Sequence, residues 1–238
     1  MITLTIDNLQ ARVEEGRTIL QAAREHGISI PTLCYHEAME PFGACRLCVV
    51  EVETGRGRQL VSSCTYPCSD GLVVRTNSEA ALRSRRTAVE LLMASSGHIP
   101  IIRELAAELG VGEPRFAMEK DDCILCGLCV RACHEIVGVG AISVVNRGIK
   151  KKVSPPFHIA SNVCIGCGTC VLVCPTRALT LADITGGSQT AHLWESEFQA
   201  VNCRICGNHH SAPQFVDHST LLPEAQTVLN VAVVEAIS

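Results

Sequence analysis

Aromatic side chains are scarce in this sequence. Phe, Tyr and Trp make up 3 % of 238 residues, with a single Trp, although 47 % of the chain is hydrophobic. The apolar material is Val, Ile, Leu, Ala and Cys, so a core of large aromatic plates is excluded. Charge of one sign is also lacking: the formal net charge is −4, which leaves no global basic field for nucleic acid. Lys150-Lys151-Lys152 reads as a solvated hairpin edge rather than a binding patch. No run approaches the ~18 apolar residues that a membrane helix needs, so direct membrane insertion is not expected and any association would go through partners. The start, Met1 to Asp7, has no basic segment, apolar stretch or cleavage site, which favours a cytoplasmic location. There is no Gly-rich dinucleotide fingerprint in a βαβ unit, no phosphate loop and no cysteine pairing suited to nickel. No catalytic residue is singled out, and a substrate-converting site of the chain's own is not expected.

What the sequence has in excess is cysteine, fifteen in all. In a cytoplasmic protein clustered cysteines read as metal ligands rather than disulfides. Cys123-Ile-Leu-Cys126-Gly-Leu-Cys129-Val-Arg-Ala-Cys133 is repeated as Cys164-Ile-Gly-Cys167-Gly-Thr-Cys170-Val-Leu-Val-Cys174-Pro175. Three thiolates spaced by two residues on a Gly-containing turn can reach one compact iron–sulfur core. The fourth, three residues further on a short helix, points away and ligates the other core. The expected sets are therefore crossed: Cys123, Cys126, Cys129 and Cys174 on one [4Fe–4S] cluster, Cys164, Cys167, Cys170 and Cys133 on the second. Zinc would need only four ligands and gives no reason for the third Cys-x-x step. The motif resembles that of bacterial two-cluster ferredoxins, with one departure: Cys174 is followed by Pro175, but Cys133 by His134.

From the start, residues 2–6 (Ile-Thr-Leu-Thr-Ile) alternate at strand period and residues 11–13 can return as a second strand. A helix follows, with Thr18 as N-cap, Ile19, Leu20 and Ala23 on its apolar side, and Gly27 just beyond its end. Cys34, Cys45 and Cys48 then lie close together in a Gly-containing loop, with Cys64 at the end of a later strand, and four such cysteines can hold a [2Fe–2S] rhombus in a β-grasp fold. Pro31-Thr-Leu-Cys34, Gly43-Ala-Cys45-Arg-Leu-Cys48 and Ser63-Cys64-Thr-Tyr-Pro67 resemble the small diaphorase iron–sulfur subunit of NAD-reducing hydrogenases and the N-terminal part of the large iron–sulfur subunit of NADH dehydrogenase. The Cys-x10-Cys-x2-Cys spacing differs from the shorter plant-type loop. Cys68 competes with Cys64 as fourth ligand. The resemblance favours Cys64, just before the Thr-x-Pro turn, and leaves Cys68 as a free or neighbouring thiol.

Ser78 is expected to cap a helix with Leu82, Val89 and Leu92 on one side and Arg83, Arg85 and Arg86 outward. Gly97-His98-Ile99-Pro100 breaks it, and residues 101–109 form a further helix closed by Gly110. The resembling subunits carry here a cluster held by one His and three Cys. No cysteine lies between Cys68 and Cys123, so that cluster is expected to be missing and His98 to be an ordinary turn or surface histidine. Residues 140–148 and 150–155 read as a hairpin inserted between the two four-cysteine motifs. Near the end, Cys203-Arg-Ile-Cys206 looks like half of a zinc ribbon, completed if at all by His209, His210, His218 or a group from elsewhere. Two reduced structural thiols are the alternative, a further iron–sulfur cluster a remoter one.

The expected class is α+β: a β-grasp [2Fe–2S] ferredoxin-like domain (1–77), a helical linker (78–115), a two-[4Fe–4S] bacterial ferredoxin-like domain (116–185) and a small C-terminal extension (186–238). The resemblance, which covers about residues 1–182, implies an electron-transfer subunit of a cytoplasmic multi-subunit oxidoreductase. Its partners would be an NAD(P)H-binding flavoprotein subunit and a catalytic subunit for H2, formate or a similar low-potential couple. A free ferredoxin-type carrier is the alternative reading, and a cluster-based redox sensor a weaker one, since no recognition helix or basic segment is apparent.

Overall fold

The computed structural model describes residues 1–55, 57–155, 164 and 166–180, together with the backbone of 201–202 and 209–210. They fall into two compact units, one of residues 1–36 and 40–126, the other of residues 37–39 and 127 onward.

The first unit is built on a mixed five-stranded sheet. β1 (Ile2–Ile6) and β2 (Leu9–Val13) form an antiparallel hairpin, Ile2 opposite Val13 and Ile6 opposite Leu9. Leu4, Ile6, Ala11 and Val13 point inward and are buried, as strand alternation requires. β3 (Val49–Thr54) and β4 (Gly57–Ser62) make a second hairpin. β5 (Val73–Arg75) joins the two, parallel to β1 and antiparallel to β3, giving the order β2-β1-β5-β3-β4. Asp7, beyond the end of β1, ties this closure: its carboxylate accepts from the Thr76 amide at 2.8 Å and the Thr76 hydroxyl at 2.7 Å.

α1 (Ile19–Glu25) covers the sheet with Ile19, Leu20, Ala22 and Ala23 buried. Thr18 begins it with a complete capping box: the Gln21 amide donates to the Thr18 hydroxyl, and the Thr18 amide donates to the Gln21 side chain at 2.9 Å. Thr18→Ala removes the acceptor for an orphan helix amide and is expected to cost about 1 kcal/mol, read as a lowered midpoint in chemical denaturation.

α2 (Glu79–Ser96), capped by Ser78, and α3 (Pro100–Leu109), ended by Gly110 in the left-handed region at φ 66°, pack on each other and form a second apolar group. Val89, Ile102 and Ala106 meet Leu33 and Leu47 there, and Ile124 packs against the same group. Leu33 precedes Cys34, and Leu47 lies between Cys45 and Cys48, so the helical pair grips the cysteine loop from behind. One expectation is corrected. Arg83 and Arg86 are exposed, but Arg85 is buried at 2 % exposure and donates from Nε and Nη2 to the carbonyl of Val49, at 3.0 and 2.8 Å. α2 packs on β3, and the guanidinium fork there finds an acceptor that helical polarity alone does not reveal.

In the second unit α4 (Leu128–Arg131) runs into a π-helical turn, Ala132–Ile136. β6 (Ser143–Val145) and β7 (Lys152–Ser154) pair antiparallel around a 3-10 turn at Gly148–Lys150, the hairpin expected from sequence. α5 (Thr169–Leu172) follows. β8 (Val201–Asn202) and β9 (His209–His210) pair as a short antiparallel ladder. Among the described residues no helix is long and apolar enough to cross a membrane.

Candidate metal centres

The loop after α1, carrying Cys34, Cys45 and Cys48, meets Cys64 just past the end of β4, and the four thiols form two pairs. The Cys45 amide donates to Cys34 Sγ at 3.3 Å, and the thiols of Cys48 and Cys64 lie 3.3 Å apart. Hydrogen bonding from its partner lowers one thiol of each pair, Cys45 and Cys48 both to about 6. Cys34 and Cys64 are pushed up by holding the shared proton, by burial and by the neighbouring thiolate charge. Thiolate is the form that ligates metal. Cys34, Cys45, Cys48 and Cys64 would hold a two-iron cluster, which would supply a one-electron couple there.

The backbone is shaped to hold this loop. Gly43 sits at φ 70°, where a Cβ would meet the Thr65 side chain at 3.4 Å, and Arg46 also adopts a positive φ of 60°. Arg46 Nη1 donates to the Ser62 hydroxyl at 3.0 Å, fixing that conformation. Ser63, fully buried between Ser62 and Cys64, has a hydroxyl close enough to the Cys48 thiol to help lower it. A buried hydroxyl is costly unless something accepts its proton, and a ligand sulfur does so. The donor set, its thiolate bias and this hydroxyl all fit a [2Fe–2S] cluster. Cys68 shares the first unit's apolar core with Cys48 and Cys64, but neither of the two thiol pairs includes it. Its thiol is pushed up to about 11 by burial and then by Glu25, with no contribution from another cysteine.

In the second unit a cavity is lined by Cys133, Cys164, Cys167 and Cys170, with Ala141 and Ile142. Cys170 is pushed up to about 12, first by burial and then by the charges of Cys167, Cys164 and Cys133. Burial likewise raises Cys164, with Cys167 and Cys133 contributing. Hydrogen bonds already reach the sulfurs: the Ala141 amide donates to Cys133 Sγ at 3.2 Å, and Thr169 Oγ1 lies 3.3 Å from Cys167 Sγ. Four thiols around an apolar cavity fit a cubane core, and such bonds tune its potential.

The duplicated string folds as a duplicated turn. Gly127 (φ 78°, ψ 2°) opens α4 and Gly168 (φ 74°, ψ −3°) opens α5 in the same left-handed conformation. Leu125 and Gly166, each preceding the second cysteine of its motif, are again both left-handed, at φ 53° and 65°. Gly meets this demand freely, whereas Leu125 holds it at a strain of ~1–3 kcal/mol. Cys123 and Cys126 close the first unit, the Cys123 amide bonding the Asp121 carboxylate at 2.8 Å. Cys129 and Cys174 belong to the second unit, Cys174 Sγ lying 3.6 Å from Thr176 Oγ1.

His98 sits in the turn between α2 and α3, with Nε2 2.5 Å from Asp122 Oδ1. Cys203, Cys206 and His218 lie outside the described residues; His209 and His210 are described only as the backbone of β9. Sequence reasoning missed Ser63, Thr169, Thr176 and Ala141 as sulfur neighbours. A Cys-x-Thr spacing at 167–169 and 174–176 was the available signal for the two threonines.

Comparison with known proteins agrees with this layout. Residues 1–79 match the model of the 2Fe-2S iron-sulfur cluster binding domain, and residues 122–178 that of the 4Fe-4S dicluster domain. The NADP-reducing hydrogenase subunit HndD of Solidesulfovibrio fructosivorans is 40 % identical over 212 residues, 75 % of this chain and 36 % of its own. The NADH-ubiquinone oxidoreductase 75 kDa subunit of Reclinomonas americana is 31 % identical over 220 residues, 82 % of this chain and 31 % of its own. A crystal structure of NAD+-reducing [NiFe]-hydrogenase in the H2-reduced state contains a chain of 33 % identity, superposing with a TM-score of 0.56 over 65 % of this chain and 75 % of that one. The chain belongs to this family of iron–sulfur subunits. Its fold is the family's α+β arrangement, an N-terminal [2Fe–2S] ferredoxin-like domain followed by a [4Fe–4S] dicluster domain. The relatives are subunits of multi-subunit oxidoreductases, and the chain spans about a third of the length of the two curated ones.

Proposed function

We propose that this chain relays single electrons inside a multi-subunit oxidoreductase, between an NAD(P)H-linked flavoprotein subunit and a low-potential catalytic subunit such as a hydrogenase or formate dehydrogenase. The observation that carries the reading is the presence of separate thiol sites in one chain: the paired thiols of Cys34, Cys45, Cys48 and Cys64, and the cavity of Cys133, Cys164, Cys167 and Cys170. In our reading these hold one [2Fe–2S] and one [4Fe–4S] cluster, and Cys123, Cys126, Cys129 and Cys174 hold a second [4Fe–4S] cluster. Bound there, each cluster supplies a one-electron couple.

The chain's own residues fix the ligands and exclude water. Leu33, Leu47 and Ile124 belong to one apolar group with α2 and α3, so the backing of the paired-thiol loop continues to the residue after Cys123. Such packing keeps sulfur positions constant as charge changes, which favours transfer with little rearrangement. Amides and hydroxyls set against the sulfurs tune each potential. The domain division proposed is 1–77, 78–115, 116–185 and 186–238, with the paired-thiol module facing the flavoprotein and the dicluster module facing the catalytic subunit. Cys203 and Cys206 are proposed as a zinc half-site of the C-terminal extension.

Anaerobic affinity purification from the native cells tests this. A flavin-containing subunit and a catalytic subunit are expected to co-elute, with about ten irons in this chain from the proposed clusters. A chain that elutes alone and carries its iron would be a diffusing ferredoxin-type carrier, and the subunit reading would be wrong.

A further inference from the structure

We propose that Arg85 is a positioning residue for the [2Fe–2S] cluster, a buried fixed cation that raises the cluster's midpoint potential. This rests on the ligand set proposed above. Arg85 is 2 % exposed, yet no carboxylate forms an ion pair with it among the described residues. Its Nε and Nη2 both donate to one carbonyl, that of Val49, the residue after the ligand Cys48. Asp7, the carboxylate whose charge reaches it, has both oxygens engaged by Thr76. Burial works against the charge on Arg85, and the negative charges of Cys48 and Asp7 favour it, Cys48 the more strongly. A guanidinium does not escape such a site by losing its proton.

A buried cation without a carboxylate partner is a costly arrangement for structure alone, because an apolar side chain could join α2 to the sheet more cheaply. The cost becomes intelligible if the partner is the cluster itself. Four thiolates around two ferric ions and two sulfides carry a net negative charge, and reduction adds one more electron. A positive charge bound to the carbonyl of the residue after Cys48 stabilises the reduced form more than the oxidised one, and the buried surroundings strengthen that effect. The electron count is simple: the cluster gains one electron, no bond forms or breaks, and Arg85 keeps its proton throughout.

The test is an EPR-monitored redox titration of the whole loaded protein. Arg85→Gln keeps a donor and loses the charge; Arg85→Lys keeps the charge and loses the fork. Arg85→Gln is expected to lower the [2Fe–2S] midpoint by at least a tenfold change in the reduced-to-oxidised ratio, 59 mV for one electron, with the [4Fe–4S] midpoints unmoved. Arg85→Lys is expected to stay near the wild-type value. An Arg85→Gln protein that loads its cluster at an unchanged potential overturns the proposal. If that variant does not fold, Arg85→Lys decides, since a tenfold drop with the charge retained also overturns it. Absence of any [2Fe–2S] signal from the wild type would instead refute the ligand assignment.

Discussion

Cys64→Ala is expected to abolish the [2Fe–2S] EPR signal and remove about two irons per chain, whereas Cys68→Ala keeps both. The two cysteines are four positions apart, and both are buried. What separates them is company. Cys64 lies 3.3 Å from Cys48 and feels the charges of Cys48, Cys34 and Cys45; Cys68 feels only burial and Glu25. The consequence for stability is large as well. Ligation by Cys34 through Cys64 closes a chain segment of about thirty residues, and the loop-closure entropy of such a cross-link is worth about 3–4 kcal/mol on the chain-entropy account. Cys64→Ala forfeits that contribution, while Cys68→Ala loses only a small buried thiol, within about 1 kcal/mol. Iron analysis and EPR of the dithionite-reduced proteins, with thermal unfolding of the first unit, read both effects. A Cys68→Ala protein without the signal, beside a Cys64→Ala protein that retains it, would reverse the assignment.

Signals carried by neighbouring residues were legible in the sequence. The alternation of residues 2–6, the Thr18 cap and Gly27 beyond the helix end are each decided within a few positions, and the structure forms them as strand, capping box and left-handed terminus. The hairpin at 143–154 and the helix end at Gly110 were legible for the same reason. Contacts made across the chain were not. Asp7 and Thr76 are 69 positions apart, and nothing in either segment announces their clasp. Arg85 was misjudged because a charged residue on a helix is normally solvated, while its target carbonyl lies 36 positions earlier on a strand. The π-helical turn at Ala132–Ile136 was also hidden, since the spacing Cys129-x3-Cys133 is compatible with an ordinary helical turn. For the thiols the case is intermediate. Their spacing announces clusters, but the choice between Cys64 and Cys68 rested on resemblance, and only the folded loop shows which sulfur stands beside Cys48.

The proposed crossing of the two four-cysteine sets makes a prediction that sequence proximity would not. Cys133 belongs by position to the first motif, yet its thiol lines a cavity with Cys164, Cys167 and Cys170, and its charge acts on Cys164 and Cys170. Cys133→Ala is therefore expected to lose the [4Fe–4S] cluster of the second motif, about four irons, or leave it as a three-iron remnant. Pairwise variants separate the alternatives by non-additivity. Adding Cys164→Ala to Cys133→Ala should cost no further cluster, because both residues act on one core; adding Cys129→Ala should cost the second cluster, for about eight irons in all. If each motif instead closed on itself, the pattern would invert, with Cys129 and Cys133 redundant and Cys164 additive. The Ala141 amide gives an internal check, since it donates to Cys133 Sγ from the segment that leads into β6. Loss of the Cys133 sulfur leaves that amide facing the cavity without its acceptor, so exchange protection at Ala141 should fall in Cys133→Ala and persist in Cys129→Ala.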